Sequence, residues 1–554
     1  MKRPSLPARK RSVPSPADLH ARFRTRRAAP PRGPSPVNGA FPARETRGRG
    51  AGLSRRLAPL TEAEARHLLR RAGFGARLAD VRRFTGLPAA EAAQILVQEA
   101  SSAAPLPEPA WVGTLPPPES ASDAEFEAYF ELNEQWLLDG LGPQIAVSMA
   151  EGGLRQRLTL AWHNHFVTSF ESYGLAEFGW RNWNLLERHA LGNFRTLVNE
   201  VGLDPAMLIY LDGALNENEA PNENYARELM ELFTMGARDA SGQANYTEND
   251  VAELARALTG WTVDWDTLEV VYEPELHDAG TKTILGRTGT FDYAGAVDLL
   301  FQERPREIAR FVADKLYRDV VFEVPNPVVV QELSALLQAS EWDIRPVLET
   351  LLSSEHFFSP DLIGARIKDP ITLMAGFVSE FGLVMDDELA PELYWVPVEL
   401  DQWILSPPNV AGWPGQRAWI DTTTLPGRWE VTGYLAYHGE EEHDDLVVAL
   451  ATELADVNDP LAAFRLPLEL TRHLLPVSPE ELSVDDGGHA FGGNLAQFPI
   501  PPEVLQWSAP EQALVRRFLA GLPWYEWTPH RQEAPYVMRD FVAYLTRLPE
   551  FQLT

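Results

Sequence analysis

Cysteine is absent from all 554 residues, which excludes disulfides, thiolate nucleophiles, Cys-bound zinc and iron–sulfur clusters. Any metal would have to be held by His, Asp, Glu or Asn, and the redox compartment is left open. Long apolar runs are missing as well: no stretch reaches the ~18 consecutive apolar residues that a bilayer-spanning helix needs. There is no phosphate-binding glycine loop, no G-x-S-x-G elbow, no H-E-x-x-H and no dinucleotide fingerprint, which removes the commonest enzyme classes. No repeat of fixed period is present.

What is present is the composition of a globular protein, 45% hydrophobic and 10% aromatic with 16 Trp and 25 Phe, in a chain long enough for more than one core. The net charge of −31 is unevenly spread. Residues 1–56 hold 15 Lys or Arg against Asp18 and Glu45, a balance of +13, so the remainder carries −44. A body that negative repels nucleic acid. The basic segment, rich in Pro, Gly, Ser and Ala, has too few apolar residues to offset its ordering entropy and is expected to be a disordered tail. Neither Lys2-Arg3 nor Arg26-Arg27 is followed by an apolar segment of about 7 to 15 residues, so no export signal is legible and a cytoplasmic location is the expectation.

The rest reads as mainly α: a multi-helix globular body with a small β-hairpin insert near 261–286. Residues 57–430 form the expected main domain, and 431–554 an acidic, looser C-terminal region whose last helix packs on it. The first helix starts at the capping box Thr61-Glu62-Ala63-Glu64. Apolar residues recur at helical spacing over 123–139, 144–169, 178–190, 193–200, 222–235, 294–318, 328–338, 344–353 and 368–384. A second capping box, Thr247 to Asp250, opens another helix. Trp261 to Val263, Val270 to Tyr272 and Thr283 to Leu285 read as strands, with His277 to Lys282 as the loop between the last two.

Three polar constellations stand out. In Asn222-Glu223-Asn224-Tyr225-Ala226-Arg227-Glu228-Leu229-Met230-Glu231-Leu232-Phe233, the residues Tyr225, Ala226, Leu229, Leu232 and Phe233 share one arc, and Glu223, Arg227 and Glu231 lie opposite as a ladder of solvated charges. Glu228 falls at the margin of the apolar arc, where a carboxylate needs a partner or shifts its pKa upward; it is the acid/base or ligand candidate of this helix. In Trp162-His163-Asn164-His165-Phe166 the two histidines point about 200° apart on a helix, so both cannot reach one metal; His163 is the metal candidate. In His277-Asp278-Ala279-Gly280-Thr281-Lys282 an imidazole, a carboxylate and an ammonium occur within one loop, although Asp and Gly are also ordinary turn residues.

Read in order, Leu68 to Gly75, Trp162 to Phe166, Pro205 to Asp212, Asn222 to Gly236, Tyr246 to Glu248, Ala255 to Trp261, His277 to Lys282, Lys368-Asp369-Pro370, Pro407-Pro408-Asn409-Val410-Ala411-Gly412-Trp413-Pro414 and Leu548 to Phe551 resemble successive blocks of a bacterial family catalogued as domain of unknown function eighteen hundred. The resemblance covers about residues 60–554. Two departures matter: Asp204 and Phe233 stand where the family often has His, so neither position carries an essential imidazole here. The resemblance implies export, and as partner a neighbouring protein similar to sulfatases and alkaline phosphatases.

Two classes of function follow. The first is ligand binding or metal-assisted hydrolysis, with Glu228, His277 and Asp278 catalytic, with Arg227, Lys282, Asn222, Asn224 and Trp413 holding substrate, and with a divalent metal on His163, Glu228, His277 and Asp278. The second is a non-catalytic binding or escort protein for the sulfatase-like partner, docking through an aromatic surface around Trp413 and Trp419. For the first, the 277–282 loop is expected to close on the 222–236 helix.

Overall fold

The computed structural model describes residues 52–118, 120–437, 444–456, 459, 461–484, 501–519 and 534–554. The segment read as a basic tail lies outside them up to residue 51, as do most of the acidic run at 440–445 and the Gly/Asp stretch at 485–493. The fold is mainly α, with two small antiparallel two-stranded sheets among the described residues. No helix among them is long and apolar enough to cross a membrane.

Six helices frame the regions of interest: α1 (Glu62–Ala72), α2 (Leu154–His165), α3 (Asn224–Glu228), α4 (Glu248–Ala257), α5 (Pro305–Val320) and α6 (Pro370–Phe381). The boxes that start α1 and α4 form as read, Thr61 with Glu64 and Thr247 with Asp250, each exchanging two local hydrogen bonds. Ordered chain begins before α1: Leu53 N–H donates to Glu332, and Arg56 pairs with Glu64 and Glu355. Where single helices are expected over 144–169 and 294–318, the chain makes two each, interrupted at Gly152-Gly153 and at Arg304-Pro305. Glycine and proline break hydrogen-bonded turns that apolar periodicity alone does not register.

The hairpin differs from expectation in its pairing. Strand β1 (Trp261–Asp264) pairs with β2 (Glu269–Tyr272), and β3 (Lys282–Ile284) with β4 (Arg287–Gly289). Residues 277–282 therefore connect two hairpins instead of closing one, and β3 packs on α4. The helix read over 222–235 is α3 followed by a π-helical turn at Leu229–Thr234.

Two large apolar clusters make up the interior. One is built from residues between Leu60 and Leu362, including Leu158 and Trp162 of α2 and Val312 and Leu316 of α5. The other joins residues between Phe74 and Trp183 to residues 371–551, including Leu160 of α2 and Leu373 and Phe377 of α6. Helix α2 thus contributes to both clusters, and its polar residues lie where they meet.

Candidate functional site

The junction is stitched by charges. Arg157, on α2 and 4% exposed, reaches Asp319 of α5 at 3.2 Å and Asp369, the N-cap of α6, at 3.4 Å. Asp319 is shared with Arg366 at 3.4 Å. Asp369 also accepts from the Thr372 amide and hydroxyl, and Arg157 and Arg366 together hold its carboxyl below the usual range against the opposing effect of burial. Deeper, Arg70 pairs with Glu380 at 2.6 Å. Arg71 is 1% exposed and donates to the Val321 and Leu362 carbonyls, and among the described residues its Nε and one terminal nitrogen have no partner. Arg428 is held by Gln552 Oε1 and the Lys368 carbonyl. The Lys368 Nζ lies 4.1 Å from the centroid of the Phe551 ring, and burial pulls its pKa down to about 7.

Outside this charged layer a cleft of about 360 Å³ opens, lined by Arg157, Asn164, His165, Lys315, Arg366, Trp413 and Trp419 among others. That volume is in the range of small-molecule sites. Two of the motifs distant in sequence meet in its wall. The Trp413 amide donates to Asn164 Oδ1 at 2.7 Å. Gly412 has φ of +82°, and a Cβ there would sit 2.2 Å from the same oxygen, so the loop can come this close only with glycine. His163 is enclosed: its Nε2 accepts from the Leu405 amide at 3.1 Å, its ring lies 5.7 Å from both Trp183 and Trp413, and burial lowers its pKa to about 4. His165 donates from Nε2 to the Phe233 carbonyl at 3.0 Å, and its Nδ1 has no partner among the described residues. Burial, then repulsion by Lys315, lowers its pKa to about 3, so the ring is neutral.

Lys315 is the cation of the cleft that stands apart. Its Nζ lies 5.5 Å from the Phe311 ring centroid, and no carboxylate or carbonyl hydrogen-bonds it among the described residues. The neighbouring Asp314 is committed to Arg318 at 2.5 Å. Burial, followed by the charge of Arg318, lowers the lysine's pKa, and Asp314 acts in the opposite direction.

The residues singled out in the sequence have other surroundings. Arg227 is bonded to Glu223 at 3.1 Å and Glu248 at 2.7 Å, part of the ladder read for that face. Glu231 leaves the ladder and accepts from the Tyr246 hydroxyl at 2.8 Å. Asn222 caps the Asn224 amide, and the Asn224 side chain reaches Asp212 at 3.3 Å. Glu228 is half-buried at the margin of the apolar arc, with its pKa raised by burial and then by Glu231. The 277–282 loop is held by the end of α4 and the residues after it. Asp278 accepts from Arg256 at 2.6 Å and from the Gly280 amide, and these bonds hold its pKa low. His277 Nδ1 meets the Thr259 carbonyl at 3.0 Å and hydroxyl at 3.2 Å. Lys282 is 1% exposed and is sequestered by the Asp278 and Gly280 carbonyls.

Among the described residues no hydrogen bond or ion pair joins this loop to Glu228. No three His, Asp or Glu side chains gather as a metal-binding group among the described residues, so His163, Glu228, His277 and Asp278 do not form the set expected of them. The physical reason is that each already has a local role: a buried acceptor, a half-buried margin carboxylate, a loop anchor and an arginine partner. Trp413 and Trp419 are 6% and 5% exposed and line the cleft, and so do not form a docking surface. Sequence reasoning included Trp413 but missed Lys315, Arg157, Arg366 and Asn164. A usable signal existed for Lys315, since Lys2, Lys10, Lys282, Lys315 and Lys368 are the chain's only lysines.

A family model described as protein of unknown function (DUF1800) matches residues 67–553. The chain belongs to that family. The match spans both apolar clusters, and the cleft between them is built within it. No curated protein and no solved structure matches the chain. The two positions expected to depart from the family's pattern are both built into the interior. Asp204 is buried, caps the 205–210 helix through the Met207 amide and accepts from Asn182, with burial raising its pKa to about 7. Phe233 packs in the aromatic cluster around His165.

Proposed function

We propose that this protein binds a small anionic molecule in the cleft between its two apolar clusters, with Lys315 and Arg366 as charge partners and the indoles of Trp413 and Trp419 as walls. The observation that supports this reading is the half-buried ammonium of Lys315, which has no hydrogen-bonded counter-charge among the described residues. A cation removed from water without a partner is costly, and an entering anion supplies one. The layer behind adds to the attraction. Arg71, Arg428 and Lys368 make their direct contacts to carbonyls, an amide or a ring, with Asp319, Asp369 and Glu380 acting on them only through space. Their positive potential is directed through a medium of low dielectric toward the cleft, in a protein whose overall charge is −31.

Metal-assisted hydrolysis on Glu228, His277 and Asp278 lacks a gathered donor set, as described above. The escort reading, in which Trp413 and Trp419 dock a sulfatase-like partner, loses its surface because both indoles face inward.

The test is a melting-temperature titration of the full chain with inorganic phosphate, with sulfate and, as a neutral control, with glycerol. Both anions should raise the melting temperature in a saturating manner, by the mass-action stabilisation of the bound state, and Lys315→Met should abolish the rise while keeping the far-UV spectrum. No rise with either anion, or an equal rise in the variant, refutes the reading.

A further inference from the structure

We infer that Lys315 is a reactive amine that condenses with an aldehyde or ketone carbonyl on the bound anion to form an imine. The inference rests on the anion-binding reading above and adds a covalent step to it.

Lysine is rare in this chain. Of the 48 Lys and Arg residues, only Lys2, Lys10, Lys282, Lys315 and Lys368 are lysines. The cations behind and beside the cleft at 70, 71, 157, 366 and 428 are arginines, while the buried Lys282 and Lys368 lie away from its wall. Guanidinium keeps its proton and is no nucleophile, whereas an amine can give its proton up. Two of the three described lysines are unavailable for chemistry: Lys282 is sequestered by backbone carbonyls, and Lys368 is 5% exposed against Phe551. Lys315 is the lysine among the described residues that lines the cleft.

Its surroundings suit a nucleophile. Next to it are the Phe311 ring on its own helix, the ion pair between Asp314 and Arg318, and His165 across from α2; the same cleft is also lined by Glu323 and by Asp319 and Asp369, the last two paired with Arg157 and Arg366. The imidazole is neutral and Asp314 is shared with Arg318, and burial together with the Arg318 charge outweighs Asp314 and lowers the pKa of Nζ. A desolvated lysine beside another cation is the usual arrangement for an amine that attacks carbonyls. Arg366 and the indole walls would hold the charged end of the ligand and leave its carbonyl to the amine.

In the step itself, the neutral Nζ attacks the carbonyl carbon and a C–N bond forms. Nζ loses a proton to water, and the carbonyl oxygen takes one up to become the hydroxyl of a carbinolamine. That hydroxyl takes a proton from water and leaves as water while the nitrogen lone pair closes the C=N bond, and the iminium formed returns its N–H proton to solvent to give the imine. One water is released and nothing is oxidised or reduced.

Glyoxylate is a suitable probe because it carries both an aldehyde and a carboxylate. The full chain is incubated with glyoxylate and cyanoborohydride, which reduces an imine to a stable secondary amine, and the labelled lysines are located by peptide mass spectrometry. Lys315 should be labelled faster than Lys2 and Lys10, as expected of a desolvated amine, phosphate should slow it, and Lys315→Arg should lose it. The distribution over lysines in the unmodified chain is informative whether or not the variant folds. Labelling at Lys315 no faster than at Lys2 and Lys10, or labelling that phosphate does not slow, overturns the inference. If Lys315 stays unlabelled while phosphate still raises the melting temperature, only the imine step fails; if phosphate has no effect either, the anion site fails with it.

Discussion

The 222–282 region and the inter-cluster cleft are both dense in charge, but they differ in how that charge is disposed. In the first, Arg227, Arg256, Asp278 and Lys282 each have a partner within a few residues or on the adjacent helix. In the second, Arg157, Asp319 and Asp369 are cross-linked between distant elements, while Lys315, Arg71 and His165 retain unmatched polar atoms or charge. Closed local pairs hold loops in place. Unmatched groups beside a cavity are what a ligand can complete, so the second region is the better candidate site even though the first has the more suggestive motif.

Breaking the cross-link should have the largest effect. Arg157→Met leaves the buried Asp369 and the half-buried Asp319 without their shared partner, and unfolding in urea should show a loss of about 3 to 5 kcal/mol. A loss under about 1 kcal/mol, the ordinary value of a surface pair, would remove the contrast between the regions. Next comes Gly412→Ala, which puts a Cβ 2.2 Å from Asn164 Oδ1 at a φ of +82°. The expected cost is about 1 to 3 kcal/mol, together with weaker phosphate binding because the Trp413 wall moves.

A third outcome concerns pH. Because the Lys315 pKa is lowered from 10.5, the charge that binds the anion is lost earlier than for an ordinary lysine. Phosphate affinity should therefore be full at the acidic side of the lysine's titration and fall as pH rises, beginning below 10.5. An unchanged affinity up to that pH would assign the charge contact to arginine alone. The smallest effects belong to the paired region. Arg227→Ala should cost about 0.5 kcal/mol or less, as exposed ladder pairs do. Glu228→Gln should be neutral or stabilise by up to about 0.5 kcal/mol, since it removes a half-buried carboxylate repelled by Glu231 and the gain is limited by solvent screening. A loss of several kcal/mol in either would mean that this region is more than a set of satisfied surface pairs.

What the sequence determined was local. The capping boxes Thr61 to Glu64 and Thr247 to Asp250 close over three residues, the apolar arc of Tyr225, Ala226, Leu229 and Phe233 follows from helical geometry, and the marginal position of Glu228 follows with it. These could be read because each depends on neighbours within a turn or two of chain. The mainly α class follows in the same way. The site did not. Arg157 finds Asp319 across 162 residues and Asp369 across 212, and the Trp413 amide finds Asn164 across 249. Whether a charge is matched or left over depends on which distant elements pack together, and only the tertiary structure decides that. Trp162 to Phe166, Lys368 to Pro370 and Pro407 to Pro414 were visible as separate blocks. It is the packing of α2 between two apolar clusters that makes them the walls of one cleft and leaves Lys315 facing it with no hydrogen-bonded counter-charge among the described residues.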